Sequence, residues 1–156
     1  NDGKMDIIIG NSGQNNTLLL NDGNDNYSEA IHLTGGAMNT YSVAAADVNN
    51  DGKMDIIIGN WNQQNQLLLN DGTNSSGTYF ISKSLPGGEK SRKSRFIAVA
   101  DLNDDDMLDI VVGNYGQNQV LMNDGHGYYL EATNLPGDDT NTRSVALADV
   151  NNDTMM

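Results

Sequence analysis

Apolar residues along this chain fall into short runs between polar stretches, and the runs return in a fixed order. Ser42-Val43-Ala44-Ala45-Ala46, Phe96-Ile97-Ala98-Val99-Ala100 and Ser144-Val145-Ala146-Leu147-Ala148 each lead into an acidic loop. Asp6-Ile7-Ile8-Ile9-Gly10-Asn11, Asp55-Ile56-Ile57-Ile58-Gly59-Asn60 and Asp109-Ile110-Val111-Val112-Gly113-Asn114 leave one. A third run follows a polar turn, at Leu18-Leu19-Leu20, Leu67-Leu68-Leu69 and Val120-Leu121-Met122. Such short β-branched runs, bounded by Gly and Asn, predict buried strands, and no segment has a helical period. The third runs end in Asn-Asp-Gly (Asn21 to Gly23, Asn70 to Gly72, Asn123 to Gly125), a hairpin signal because Asp and Gly tolerate positive φ. A fourth, more polar strand is expected around Tyr27, Tyr79-Phe80 and Tyr128-Tyr129, followed by crossovers that begin at Leu33, Leu85 and Leu135.

Equivalent acids lie 49 residues apart from Asp6 to Asp55, 54 from Asp55 to Asp109 and 48 from Asp101 to Asp149. Four short antiparallel strands in that period make one blade of a β-propeller. The expected fold is therefore all-β, with about three blades of four antiparallel strands, either partial or part of a larger propeller. The repeats run approximately over 1–41, 42–95, 96–143 and, in part, 144–156. Three blades leave open faces and strand edges, so a larger propeller or a homo-oligomer is expected. In the second case Ser144 to Ala148 would pair with Asp6 to Gly10 of another copy. The chain opens and closes inside a motif, which fits a processed product or a piece of something longer.

The acidic loops carry the chemistry. Asp47-Val48-Asn49-Asn50-Asp51-Gly52-Lys53-Met54-Asp55 puts side-chain oxygens at positions 1, 3, 5 and 9 and a glycine at the sharp turn of position 6. The register returns at Asp101, Asn103, Asp105 and Asp109, with Asp106 in place of the glycine. Alternating hard oxygens suit Ca²⁺, which takes six to eight of them in flexible geometry. Position 7, at Lys53 and Met107, is expected to offer its backbone carbonyl. Partial copies place Asp2 and Asp6 at the start and Asp149, Asn151 and Asp153 at the end. An EF-hand is excluded because strand sequence, not a helix with its Glu at position 12, follows each loop.

Loop, following strand and Asn-Asp-Gly recur together, and in this the chain resembles the FG-GAP/VCBS repeat family, the blades of integrin α-subunit propellers and of many secreted proteins. The matching units are Ala46 to Asn60 with Asn65 to Gly72, and Asp101 to Asn114 with Asn118 to Gly125. The resemblance implies Ca²⁺ held between the first two strands of a blade, in a structural role, and a module that is secreted or displayed at the cell surface.

Composition narrows the partners. Asp and Glu outnumber Lys and Arg 21 to 8, for a net charge of −13, which argues against nucleic acid and anionic membrane surfaces. No apolar run approaches the ~20 residues of a membrane helix, so no membrane insertion is expected. There is no cysteine. Five of the eight basic residues (Lys83, Lys90, Arg92, Lys93 and Arg95) crowd one crossover, a candidate dock for an acidic partner. Trp61 and Tyr115 occupy matching turns beside amides, as residues that contact a glycan do. Asn15, Asn26, Asn74 and Asn152 head N-glycosylation patterns. His32 and His126 have no zinc context, and no acid-base-nucleophile set can be assembled. The reading is a non-catalytic extracellular calcium-binding module for adhesion or assembly, contacting protein, glycan or other copies of itself. A structural subunit of a surface filament and a polysaccharide-acting enzyme domain are the alternatives.

Overall fold

The computed structural model describes residues 3–24, 26–73, 80–87, 93–137 and 140–151, and in it every apolar run but one becomes a strand. The first blade holds β1 (Ile7–Ile9), β2 (Ser12–Gln14), β3 (Thr17–Leu19) and β4 (Ile31–His32). The second holds β5 (Met38–Ala46), β6 (Asp55–Asn60), β7 (Gln66–Asn70) and β8 (Phe80–Ser84). The third holds β9 (Lys93–Ala100), β10 (Asp109–Gly116), β11 (Gln119–Leu121) and β12 (Thr133–Asn134), and β13 (Thr140–Asn141) follows. The described residues contain no helix, and so none long and apolar enough to cross a membrane.

All ladders are antiparallel and follow chain order within a blade, as β5-β6-β7-β8 and β9-β10-β11-β12. The inner pairs share one register: Ala46 faces Asp55 and Ala44 faces Ile57, while Ala100 faces Asp109 and Ala98 faces Val111. Blades are also stitched to one another. Two residues past the glycine of each second strand, Ser12 pairs with Asn39, Trp61 bridges to Lys93 and Tyr115 pairs with Asn141.

Strand β6 shows why these runs are apolar on both faces. Ile57 joins Ala46, Leu67, Ile97, Ile110 and Leu121 in a core shared with the third blade. Ile56 and Ile58 join Leu18, Leu33, Leu68 and Phe80 in a core shared with the first. Burying one such side chain contributes about 2 kcal/mol, so the blade interfaces hold most of the stabilising surface. Glycine sets their spacing. A Cβ on Gly59 would lie 2.9 Å from Ile97, one on Gly10 3.2 Å from Val43, and one on Gly113 3.0 Å from Val145. Those three partners, Val43, Ile97 and Val145, each lie four residues before the first acid of the next loop, Val43 and Ile97 on inner strands.

Two expectations are corrected. Ser144 to Ala148 forms no ladder. A strand of this kind pairs with the strand leaving its own loop, as β5 does with β6, and no described strand leaves the loop at Asp149. Its residues still alternate between half-buried and exposed, with Val145 seated against Gly113. The aromatic-bearing fourth strands are also shorter than expected. Tyr27 and Tyr129 make isolated bridges to Asn21 and Asn123, and pairing resumes only at the two-residue β4 and β12. An edge strand has a neighbour on one side only, so little holds it in register. Phe80 opens β8, while Tyr79 lies outside the described residues.

Candidate functional site

The two complete loops fold alike. Asp47 accepts the backbone N–H of Asp51 at 3.1 Å and of Gly52 at 2.8 Å; Asp101 accepts those of Asp105 at 3.2 Å and Asp106 at 2.8 Å. Asp51 and Asp105 each accept the N–H two residues on, at Lys53 and Met107, both 2.9 Å. Asn49 and Asn103 donate their amides to those same acids at 3.2 and 2.9 Å. The turn needs left-handed backbone at Asn50 (φ 53°) and Gly52 (φ 81°), and at Asp104 (φ 58°) and Asp106 (φ 66°). Asp, like Asn, tolerates that conformation, so the third blade turns without a glycine.

Position 9 does something different. Asp55 and Asp109 are fully buried. One oxygen accepts the N–H of Val48 or Leu102 at 3.1 Å, and the other that of Asn70 or Asn123 at 2.8 Å. The acid thus ties its loop to the Asn-Asp-Gly turn of the third strand. Asp6 makes the same bond with Asn21 at 2.9 Å. Burial pushes the Asp55 carboxyl above its ordinary pKa against the pull of the Asn70 and Val48 N–H groups, and the charges of Asp51 and Asp47 push the same way. Asp51 lies lower than usual, because hydrogen bonds and charge from Lys53 outweigh the cost of its burial; the Lys53 ammonium stands 3.0 Å away. For Asp101 the N–H groups of Asp106, Asp105 and Asn103 likewise outweigh burial and lower the pKa.

Neighbouring loops touch. Asn50 donates to the Asp106 carbonyl at 3.2 Å. Asn123 donates to the Val48 carbonyl at 2.8 Å and to its own blade's Leu108 carbonyl at 3.1 Å. Tyr129 closes the junction, its hydroxyl donating to the Leu108 carbonyl at 2.6 Å. Burial, with the nearby Asp109 charge, raises its pKa well above the usual phenol.

The donor types of each loop, three carboxylates and an amide with a position-7 carbonyl, fit a hard cation. Among the described residues no three acidic, imidazole or thiol side chains converge as a metal cluster; the carboxylates serve the loop's own N–H groups. In the partial loops Asp6 and Asp149 are described, Asn151 forms a bend, and Asp2 and Asp153 lie outside the described residues. Sequence reasoning missed Asn21, Asn70 and Asn123 as partners of position 9. The readable signal was a nearly constant separation of 15, 15 and 14 residues between acid and asparagine.

A second cluster sits at the far ends of β6 and β10. Trp61 stacks on Tyr41 at 5.0 Å and meets Tyr115 edge-on at 6.2 Å. Lys93 lies 5.1 and 4.9 Å from the Trp61 and Tyr115 ring centres, and Arg95 lies 5.0 and 5.5 Å from them. The amides beside the rings are internal struts. The Asn60 and Asn114 backbone N–H groups donate to the side-chain carbonyls of Asn65 and Asn118, and Asn60, Asn65 and Asn114 are buried. Of the basic crossover, Lys83 instead caps the Tyr128 ring at 3.7 Å, and Lys90 and Arg92 lie outside the described residues. Among the sequons, Asn26 is exposed and Asn15 half-buried; Asn74 and Asn152 lie outside the described residues.

Ladders, loop register and blade-to-blade stitching together define a run of β-propeller-type blades. The FG-GAP-like repeat model matches residues 1–58, 47–112 and 101–156. Those matches span the chain, and the protein belongs to that family. No curated protein matches it.

Proposed function

We propose that the chain is a calcium-stabilised run of blades that works outside the cell as a non-catalytic module for adhesion or assembly, through protein or glycan contacts. The observation that carries this reading is the repetition of one loop, with side-chain oxygens at 1, 3, 5 and 9 and the same hydrogen bonds, in two adjacent blades. Turn chemistry alone requires no such repeated set of acids at each copy. A buried Asp55 whose charge is opposed by burial and by two neighbouring carboxylates favours a bound dication. Loops this exposed suit the weak, 10⁻⁴–10⁻³ M affinities of extracellular calcium modules, about the order set by open sites. When bound, Ca²⁺ would neutralise the loop and tie the first two strands of a blade. Asp47, Asn49, Asp51 and Asp55 would hold it in the second blade, and Asp101, Asn103, Asp105 and Asp109 in the third.

A thermal melt in millimolar Ca²⁺, in EGTA and in Mg²⁺ tests the reading. With Ca²⁺ at roughly one to ten times such a Kd, linkage predicts a Ca²⁺-specific gain of about 0.4 to 1.4 kcal/mol per site. Equal melting temperatures in Ca²⁺ and EGTA would reduce the loops to turns and end the calcium proposal.

A further inference from the structure

In a chain of net charge −13, two neighbouring cations on β9 stand beside aromatic rings instead of acids. Among the described residues the ion pair is Lys53 with Asp51; Lys93 and Arg95 have none. Both instead lie between the rings of Trp61 and Tyr115, and the Arg95 Nε is buried with no hydrogen-bond partner. A buried, unmet donor leaves the guanidinium poorly compensated inside the protein, and an anion at its remaining N–H groups would offset that cost. Tyr41 and Tyr115 leave about half of their surface exposed, at 54% and 49%. The Gln63 carbonyl accepts the Asn39 N–H and the Gln64 amide N–H donates to the Leu85 carbonyl, so one half of each side chain is engaged within the protein. Asn62, in left-handed backbone, stays exposed. The surface therefore offers fork-shaped positive charge flanked by exposed phenol rings.

We propose that this cluster is a binding site for an anionic polysaccharide. A carboxylate or sulfate would meet the guanidinium and ammonium, and a sugar ring would lie on an exposed tyrosine. An acidic peptide would satisfy the charge but not the rings, and a neutral glycan the rings but not the charge. Guanidinium is the group best shaped for a two-oxygen anion, which makes Arg95 the anchor and Lys93 the second charge. The site lies at the opposite ends of β6 and β10 from the acidic loops, about 20 Å away by strand rise. The inference rests on the reading of the chain as a binding module, but not on its calcium.

The experiment is affinity electrophoresis of the whole chain through gels holding hyaluronan, dextran sulfate, neutral dextran or poly-glutamate, each in Ca²⁺ and in EGTA. Retardation by hyaluronan or dextran sulfate and not by dextran is expected; which of the two acts tells carboxylate from sulfate. Lys93→Gln with Arg95→Gln should weaken binding at least about ten-fold, the loss typical of charge-assisted hydrogen bonds. Tyr115→Ala, at an exposed ring, should weaken it several-fold while leaving the salt dependence intact. No retardation by either polyanion, or equal retardation of the double variant, would overturn the site. Poly-glutamate binding as tightly as the polysaccharides would overturn the ligand class in favour of an acidic protein. Binding that persists where the Ca²⁺ melt shows no shift would fail the calcium reading alone.

Discussion

The hexapeptide Asp-Ile-Ile-Ile-Gly-Asn occurs twice, at Asp6 to Asn11 and at Asp55 to Asn60, and the two copies live in different surroundings. In the second blade all six residues are buried, with Ile57 and Ile58 fully so. In the first, Ile7 and Ile9 are each 39% exposed. Both copies form the second strand of a blade and pair with a third strand in the same register, Ile8 opposite Leu18 and Ile57 opposite Leu67. What differs is that β6 also has β5 alongside it and a blade on each face. Burial here belongs to the stack of blades, not to the string of residues.

The largest test of that statement is Ile57→Ala against Ile8→Ala, the same change in the same hexapeptide. A cavity in the shared core should cost Ile57→Ala ~3 kcal/mol, and the half-open site ~1 kcal/mol, read from urea unfolding. Equal losses would mean that the first blade is as well covered as the second. Next comes the asparagine that follows each third strand. Asn123→Ala removes bonds to two blades and leaves the Val48 carbonyl unmet, for a loss of about 2 kcal/mol. Asn21→Ala, whose side chain bonds within its own blade at exposed positions, donating to the Met5 carbonyl at 3.1 Å and accepting the Gly23 N–H at 2.7 Å, should lose less than about 1 kcal/mol in the same assay.

The smallest effect is one of pH. Burial raises the Asp55 carboxyl in the folded, EGTA-treated protein above its value in the unfolded chain. Protonation therefore favours the folded state, and this group's contribution is fully present below the unfolded pKa and is lost as pH rises through the folded one. Asp51 and Asp101, shifted down, act in the opposite sense, so the signal is the difference between the native chain and Asp55→Asn. That difference in melting temperature should change as pH falls from 7 toward about 4, the ordinary carboxylate value. A difference independent of pH would show that Asp55 does not titrate as placed.

The first-to-third strands were legible because a blade's inner strands are covered on both faces, and β-branched runs are the residue-level mark of that cover. The loops were legible because their chemistry is local, nine residues long. Ser144 to Ala148 read as a strand for the same reason, yet a ladder needs a partner, which its own residues do not encode. Tyr41, Trp61, Lys93, Arg95 and Tyr115 meet because Trp61 bridges to Lys93 across a blade boundary, a contact between residues that share no motif. The surrounding amides looked like ligand groups; buried Asn60 and Asn114 instead satisfy the turns, since a bend with few apolar residues must find its hydrogen bonds internally.

The seat formed by Gly10, Gly59 and Gly113 accepts valine, isoleucine and valine in turn. It checks alignment, since a slip of one residue would drive an isoleucine, valine or asparagine into the place of a hydrogen atom, but it does not check identity. Units joined this way are interchangeable parts. A gene that copied one of them in tandem would produce a longer stack whose new junction already fitted, with no fresh surface to invent.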